Sequence, residues 1–424
     1  MWKNRIIRNA GWLIGGRLVN KVLSFLVGIL TARYLGPDNY GIIGYVTAYI
    51  TFFASVCNLG INSVLVKDFV DHPEDEGKAM GTAMVLRAVS SALSALMIIG
   101  IIALTEKGDP TTVMVAVLSC VGLMFQVVDT LKRWFLNRLQ SKYAAIATVL
   151  AYLSVSVYKL ILLASGSSVV WFALATSVEY AVVAAFLLAA YRKNKGPRFA
   201  FSWKKAKELL QSSSSYILSD IMVSVYATTD KLMLKQMLDE AAVGYYTTAV
   251  AVSNVCCFVL EAMIESVYPS VIQSYKTDRE LFKRKNRQLY AGVFYSAMIG
   301  SVVICLLSGP IVEILYGESY LPSVQPLRIV VWYTAFSYLG GARGAWMVCE
   351  DKQKYLKYLS LIAAVENVIL NLVLIPHLGP SGAALASLLT QITTIVVIPA
   401  LIKPLRPNAK LMLEAVLLKG VLKK

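Results

Sequence analysis

The sequence predicts an all-α polytopic membrane protein, with twelve transmembrane helices in two six-helix lobes related by a parallel pseudo-repeat. Three observations carry that expectation. The 424 residues are 57% hydrophobic and only 16% charged, with a mean hydropathy of +0.62. Apolar stretches of about 20 residues or more, enough for a ~30 Å hydrocarbon core, recur twelve times. Local matches return at offsets of 203 and 211 residues. Backbone groups in lipid must pair within their own segment, so stretches of this length and composition are helices.

The spans are expected at 10–32, 41–63, 79–104, 112–131, 143–164 and 168–191, then at 210–230, 241–267, 288–315, 323–348, 355–376 and 381–402. The break between the sixth and seventh separates an N-terminal lobe, 1–195, from a C-terminal lobe, 210–424, across a basic linker, 196–209. Phe199, Phe201 and Trp203 in that linker suit a membrane interface. The net charge of +16 would suggest nucleic acid in a soluble chain. Here it reads as topology, because Lys and Arg gather in loops left on the cytoplasmic side. With the N-terminus inside, 31 of the 41 Lys and Arg fall in inner segments, and the outer loops hold only Arg33, Lys107, Lys231 and Lys235. That places both termini in the cytoplasm and the chain in the cytoplasmic membrane. The basic start, Lys3, Arg5 and Arg8, is like a signal-peptide n-region, but the apolar run behind it is too long and too charged for one and is expected to stay.

All six cysteines lie within or at the ends of apolar segments and are expected as free buried thiols. His72 and His377 are too far apart to form a metal site. The sequence holds no nucleophile–base pair, no Gly-rich phosphate loop and no metal cluster, so neither an enzyme nor a cofactor is expected.

The first span carries the most chemistry. Arg17, Asn20, Lys21 and Ser24 interrupt its apolar run, and at 100° per residue they share a stripe about 100° wide that Gly28 and Thr31 extend. Val19, Leu18, Val22, Phe25 and Leu26 cover the other face. A central Arg or Lys costs about 2.5–3.5 kcal/mol on insertion scales, so two on one face point to a polar cavity. Snorkelling competes for Arg17, about 10 Å from the inner end, more than for Lys21, about 16 Å in. Arg87, about 12 Å from the inner face, is a third cavity cation.

The halves read as repeats. Gly41 matches Gly244 at an offset of 203, and the same offset sets Asp220 against Arg17; Ala173 to Thr176 match Ala384 to Ser387 at 211. Six helices restore the starting orientation, so the repeats are parallel. The seventh span has its own polar stripe, Ser213, Tyr216, Asp220, Ser224, Ala227 and Lys231. Close helix packing explains its small and hydroxyl residues as well as a cavity does, Asp220 excepted. Arg17 and Asp220 are expected to approach one another. Other ionisable residues at depth are Glu179, Glu261 and Glu366, with Asn367 and Asn371 one turn from Glu366.

Several stretches resemble the polysaccharide-repeat-unit flippase family, the Wzx type that serves O-antigen, capsule and exopolysaccharide assembly, within the multidrug/oligosaccharidyl-lipid/polysaccharide exporter superfamily. They are Arg33-Tyr34-Leu35-Gly36-Pro37 leading to Tyr40-Gly41, Asp230 to Leu234 followed by Val243 to Tyr246, and Tyr316 to Tyr320. Near the end come Asn367 to Asn371 running into Leu374-Ile375-Pro376, then Gly379 and Gly382-Ala383-Ala384. The resemblance covers essentially the whole chain. It implies movement of an undecaprenyl-diphosphate-linked oligosaccharide from the inner to the outer leaflet by alternating access, with the lipid bilayer and a coupling ion, proton or sodium, as the other partners and no nucleic acid. Arg17, Lys21 and Arg87 would meet the diphosphate, and Asn20, Ser24, Ser224 and the tyrosines the sugar. A lipid II flippase, a drug/cation antiporter of the same superfamily and a membrane glycosyltransferase or polymerase are the competing readings. The outer loops are too short for the last, the cavity cations are wrong for the second, and the first usually has two further helices.

Overall fold

The computed structural model describes residues 2–106 and 108–421, with side chains described from Asn20 onward except those of Ser63, Ser215, Ser219 and Cys256. The first half comprises α1 (Trp2–Asn58), α2 (Ile61–Asp71), α3 (Glu76–Thr105), α4 (Pro110–Gln126), α5 (Asp129–Asn137), α6 (Ser141–Ala164) and α7 (Val169–Lys193). After it come α8 (Trp203–Met237), α9 (Glu240–Ser253), α10 (Cys257–Thr277), α11 (Arg279–Tyr316), α12 (Val324–Ala342) and α13 (Gly344–Cys349). The chain closes with α14 (Leu356–Leu378), α15 (Pro380–Ile392), a π-helical turn (Thr393–Val397), α16 (Ile398–Leu401) and α17 (Arg406–Val416). No strand occurs among the described residues.

Among the described residues, eight helices are individually long and apolar enough to cross a membrane, and the bent pair α9–α10 makes a ninth. Twelve rods emerge from these for physical reasons. α1 breaks at Gly36, before Pro37, and is two rods. α8 and α12, of 35 and 19 residues, are long enough to span but hold no stretch as apolar as those eight. Every expected span lies along one of these helices or along consecutive helices of one rod. Short loops between them are tightly capped: Asp109, ahead of Pro110, accepts from the Thr111 and Thr112 amides, and Asp239 and Asp278 cap α9 and α11 in the same way.

By internal contacts the chain divides into residues 1–35 with 42–228, and residues 36–41 with 229–424. Within the first unit α4 packs on α3 and α7, and α6 on α7. Within the second, α12 packs on α11 and α15, and α14 on α15. Counted as rods, these are the third, fourth, fifth and sixth of each half in the same order of neighbours, which is the repeat seen in packing. Its finest trace is a glycine pair. A Cβ on Gly41 would collide with the Glu240 carbonyl, and one on Gly244 with the Pro37 carbonyl. The offset of 203 turns Pro37 into Glu240 and Gly41 into Gly244, so the two contacts are copies of each other.

The segment expected as a linker is only partly one. Ser202 accepts from the Lys205 amide at 3.4 Å and caps α8, which therefore begins at Trp203. The residues before it form an extended strap on α3. The Ala200 amide donates to the Gly77 carbonyl at 3.2 Å and the Ser202 amide to Thr82 Oγ1 at 3.0 Å. Gly77 and Gly81 leave the room, since a Cβ on either would meet the Arg198 or Ala200 carbonyl. Lys205 Nζ then pairs with Asp68 at 2.6 Å, and Phe199 stacks on Tyr191 at 5.0 Å. Phe201 and Trp203 remain exposed, 41% and 81%, as an interfacial position requires. The contact-based division falls after this strap, inside α8. Of the cysteines, Cys57, Cys120 and Cys257 are buried and in no disulfide, whereas Cys305 and Cys349 are only half-buried. Cys256 lies outside the described side chains.

The glycine crossing generates a prediction. Gly244→Ala should cost about 1–3 kcal/mol by overpacking against the Pro37 carbonyl, whereas Gly28→Ala, with nothing within 4 Å of the new methyl, should be neutral or slightly stabilising. Thermal unfolding of the two purified variants in detergent checks both; equal melting temperatures would remove the crossing from the structure.

Candidate functional site

In the first unit the expected cations are not all placed alike. Arg17 belongs to α1, but its side chain lies outside the described residues. The polar stripe that follows it splits: Asn20 (7% exposed) and Thr31 pack inward, while Lys21 and Ser24 are exposed. A helical wheel puts these residues on one side but cannot say where the neighbouring helices close over it. Ser24 lies within reach of the Tyr152 hydroxyl of α6, and the Asn20 carbonyl oxygen is buried with no hydrogen-bond partner among the described residues.

Arg87 is the deepest of them, 3% exposed on α3. Its Nη1 donates to Thr130 Oγ1 at 3.1 Å, and Thr130 in turn donates to the Val127 carbonyl at 2.9 Å. Its Nε is buried with no hydrogen-bond partner among the described residues. Asp129, Arg133 and Tyr180 surround it, and Asp129 is itself paired with Lys132 at 2.7 Å. Glu179 of α7 sits in the field of Lys132 and of Lys159 of α6. The interior of this unit thus holds a chain of charges from α3 through α5 to α6 and α7, cationic in sum, with a guanidinium edge still able to donate. Such an edge suits a phosphate or a carboxylate. Asp220 and Ser224 on α8 are half-buried, and the Ser224 carbonyl accepts from Thr228 at 2.8 Å. Asp220 and Arg17 share the first unit's residues by contact grouping, rather than standing in opposite halves as the offset suggested.

The second unit holds a site that residue-by-residue reading passed over. Asp230 of α8 is 5% exposed and its carboxylate is saturated with neutral donors. Oδ1 accepts from Asn367 Nδ2 at 3.1 Å and Asn371 Nδ2 at 2.7 Å, and Oδ2 from Ser387 Oγ at 2.5 Å and from the Tyr246 hydroxyl. Four helices, α8, α9, α14 and α15, meet on this one side chain. Asn371 also donates to Asn367 Oδ1 at 3.1 Å, and its own Oδ1 is buried without a hydrogen-bond partner among the described residues. Asn367 and Asn371 are 0% exposed and one turn apart, so both amides are aimed inward from one face of α14. Asp230 stands at the outer end of an expected span, and the legible signal is the i, i+4 asparagine pair that needs an inward partner. A buried carboxylate with amide and hydroxyl oxygens around it can be protonated, or can give those oxygens to a small hard cation. No cluster of three or more His, Cys, Asp or Glu suited to a metal occurs among the described residues.

A model of the polysaccharide biosynthesis protein family matches residues 6–275. The chain belongs to that family. Among curated relatives, the lipid II flippase MurJ of Bacillus subtilis (strain 168) is 24% identical over 222 residues, 49% of this chain and 41% of that protein. A probable low-salt glycan biosynthesis flippase, Agl15 of Haloferax volcanii, is 23% identical over 190 residues, 45% of this chain and 40% of that protein. The chain therefore spans about two-fifths of the length of the curated relatives it matches. Among solved structures, lipid II flippase MurJ in an inward closed conformation superposes with a TM-score of 0.75 at 13% identity, covering 96% of this chain and 90% of that one. An inward-facing multidrug resistance MATE family transporter of the MOP superfamily gives 0.71 at 15% identity, covering 93% and 96%. At such identities the likeness is one of fold: twelve transmembrane helices in two lobes.

For this member of the polysaccharide biosynthesis protein family, the Asp230 cluster yields the sharper prediction. Asp230→Ala strands four buried donors and should destabilise by at least about 2–4 kcal/mol, while Asp230→Asn keeps the volume and loses less. Melting temperatures of the two variants in detergent rank them; an Asp230→Ala protein as stable as the parent would mean the carboxylate is not what joins these helices.

Proposed function

We propose that the chain is a flippase that carries undecaprenyl-diphosphate-linked oligosaccharide repeat units from the inner to the outer leaflet of the cytoplasmic membrane by alternating access. The observation that carries the reading is a buried, partly unsatisfied arginine, Arg87, within an otherwise apolar spanning helix of a polysaccharide biosynthesis family member. A lipid diphosphate is the anion such a group would bind, and no covalent chemistry is required of it. In this reading Arg17, Lys21 and Arg87 supply the cationic potential, and Asn20, Ser24 and Ser224 supply polar contacts to sugar. Both termini are cytoplasmic, as the loop charge indicates. Asp220 faces the same cavity and competes with the diphosphate for Arg17. Asp230, Asn367, Asn371 and Ser387 form the coupling group, taking a proton or a sodium ion, because a single protonation or cation there would redistribute hydrogen bonds across four helices. A ligand shifts such an equilibrium only through its differential affinity for the two states.

Lipid II transport is the second reading, favoured by the match to the Bacillus subtilis protein. Complementation separates the two. Expression in a strain lacking its repeat-unit flippase should restore surface polysaccharide, and expression in a strain depleted of its lipid II flippase should not restore growth; the reverse result would select lipid II. In the complementing background, Arg87→Ala and Lys21→Ala should reduce export at least tenfold on the scale of a lost charged contact, with normal accumulation in the membrane. Arg17→Lys should retain part of the activity if a point charge suffices. Wild-type export from Arg87→Ala would remove the proposed diphosphate contact.

A further inference from the structure

One cavity in the second unit is unrelated to the Asp230 cluster. It has a volume of about 570 Å³ and opens between the start of α11, the end of α13 and the C-terminal α17. Five cations line it, Arg279, Lys283, Arg287, Lys352 and Lys410, against three carboxylates. The carboxylates are occupied in holding cations: Glu350 with Arg279 at 2.5 Å, Glu280 with Lys283 at 2.7 Å, and Glu414 with Arg287 at 2.9 Å and Lys410 at 4.0 Å. The net charge of the lining is therefore positive. Arg287, 18% exposed, keeps a buried Nε with no hydrogen-bond partner among the described residues.

The helix that forms one wall has two apolar sides. Leu411, Met412 and Ala415 of α17 are buried. Leu413 and Leu417 are exposed, 59% and 55%, and with Lys410 they follow one line along the helix at i, i+3 and i+7. Leu401, just before α17, is 67% exposed. A cationic cavity thus stands beside a strip of exposed leucines, at the end of spanning helices. A soluble anion would use the cations and leave the leucines in water. A phospholipid uses both.

We propose that this cavity binds the headgroup of an anionic phospholipid, with the phosphodiester between Arg287, Lys283 and Lys410 and the acyl chains along Leu413 and Leu417. The site lies in the second unit, apart from Arg87 and Asp230, and does not depend on the identity of the transported lipid. Basic pockets at helix ends take anionic headgroups for the same electrostatic reason that polybasic segments adhere to anionic leaflets.

Delipidated full-length protein in detergent provides the test, with bound lipid counted by native mass spectrometry and stability followed by melting temperature. Phosphatidylglycerol should bind and protect, whereas phosphatidylcholine of the same chain length and inorganic phosphate should do neither. Lys283→Gln with Lys410→Gln, at side chains 50% and 78% exposed, should leave the lipid-free melting temperature unchanged. The same pair should weaken phosphatidylglycerol binding ~10-fold or more. Lys193→Gln with Lys195→Gln removes the same charge from exposed positions elsewhere and should leave binding intact. Equal weakening by both double variants, equal binding of phosphatidylcholine, or equal protection by inorganic phosphate would each overturn the assignment.

Discussion

Hydrocarbon offers no hydrogen bonds, and the arrangement of this chain follows from that shortage. Each rod satisfies its own backbone, so the polar side chains that remain must find one another. Asp230 is the extreme case. It holds one carboxylate where water would ordinarily supply the donors, and α9, α14 and α15 supply them instead. Arg87 meets the same demand less completely, since Thr130 satisfies one nitrogen and leaves another. The difference matters chemically. A saturated group joins helices, and an unsaturated one retains capacity for a ligand.

The two units share a scaffold and differ in content. The order of helix neighbours is the same in both, yet the first unit's interior gathers cations on α3, α5 and α6, and the second gathers neutral amides and hydroxyls around an acid. Fold similarity to MurJ and MATE structures speaks only to the scaffold. The chemistry sits in side chains that the repeat does not copy: Asp230 has Val27 at the corresponding position of the first half.

Hydropathy and loop composition made the rods legible, because apolar length and turn chemistry are local properties. The repeat was legible through small residues, Gly41 with Gly244 and the alanines of α7 with those of α15, since only small side chains permit those approaches. What escaped was non-local. Three of the four donors to Asp230 lie 137, 141 and 157 residues away, and no local window contains them. The strap at 198–202 reads as a loop in composition, and its docking depends on Gly77 and Gly81 in a different helix. Asn20 and Lys21 share a helix face in the sequence but differ in exposure, because burial is decided by what packs alongside.

The reciprocal crossing of Gly41 on Glu240 and Gly244 on Pro37 has the form of an isologous contact, in which one patch meets its own copy. That is the geometry by which two identical subunits pair about a two-fold axis. Either half carries one side of it, complete, within a five-residue stretch. All four residues belong to the second unit by their contacts, and an insertion or deletion between Pro37 and Gly41 would throw the two reciprocal contacts out of register with each other.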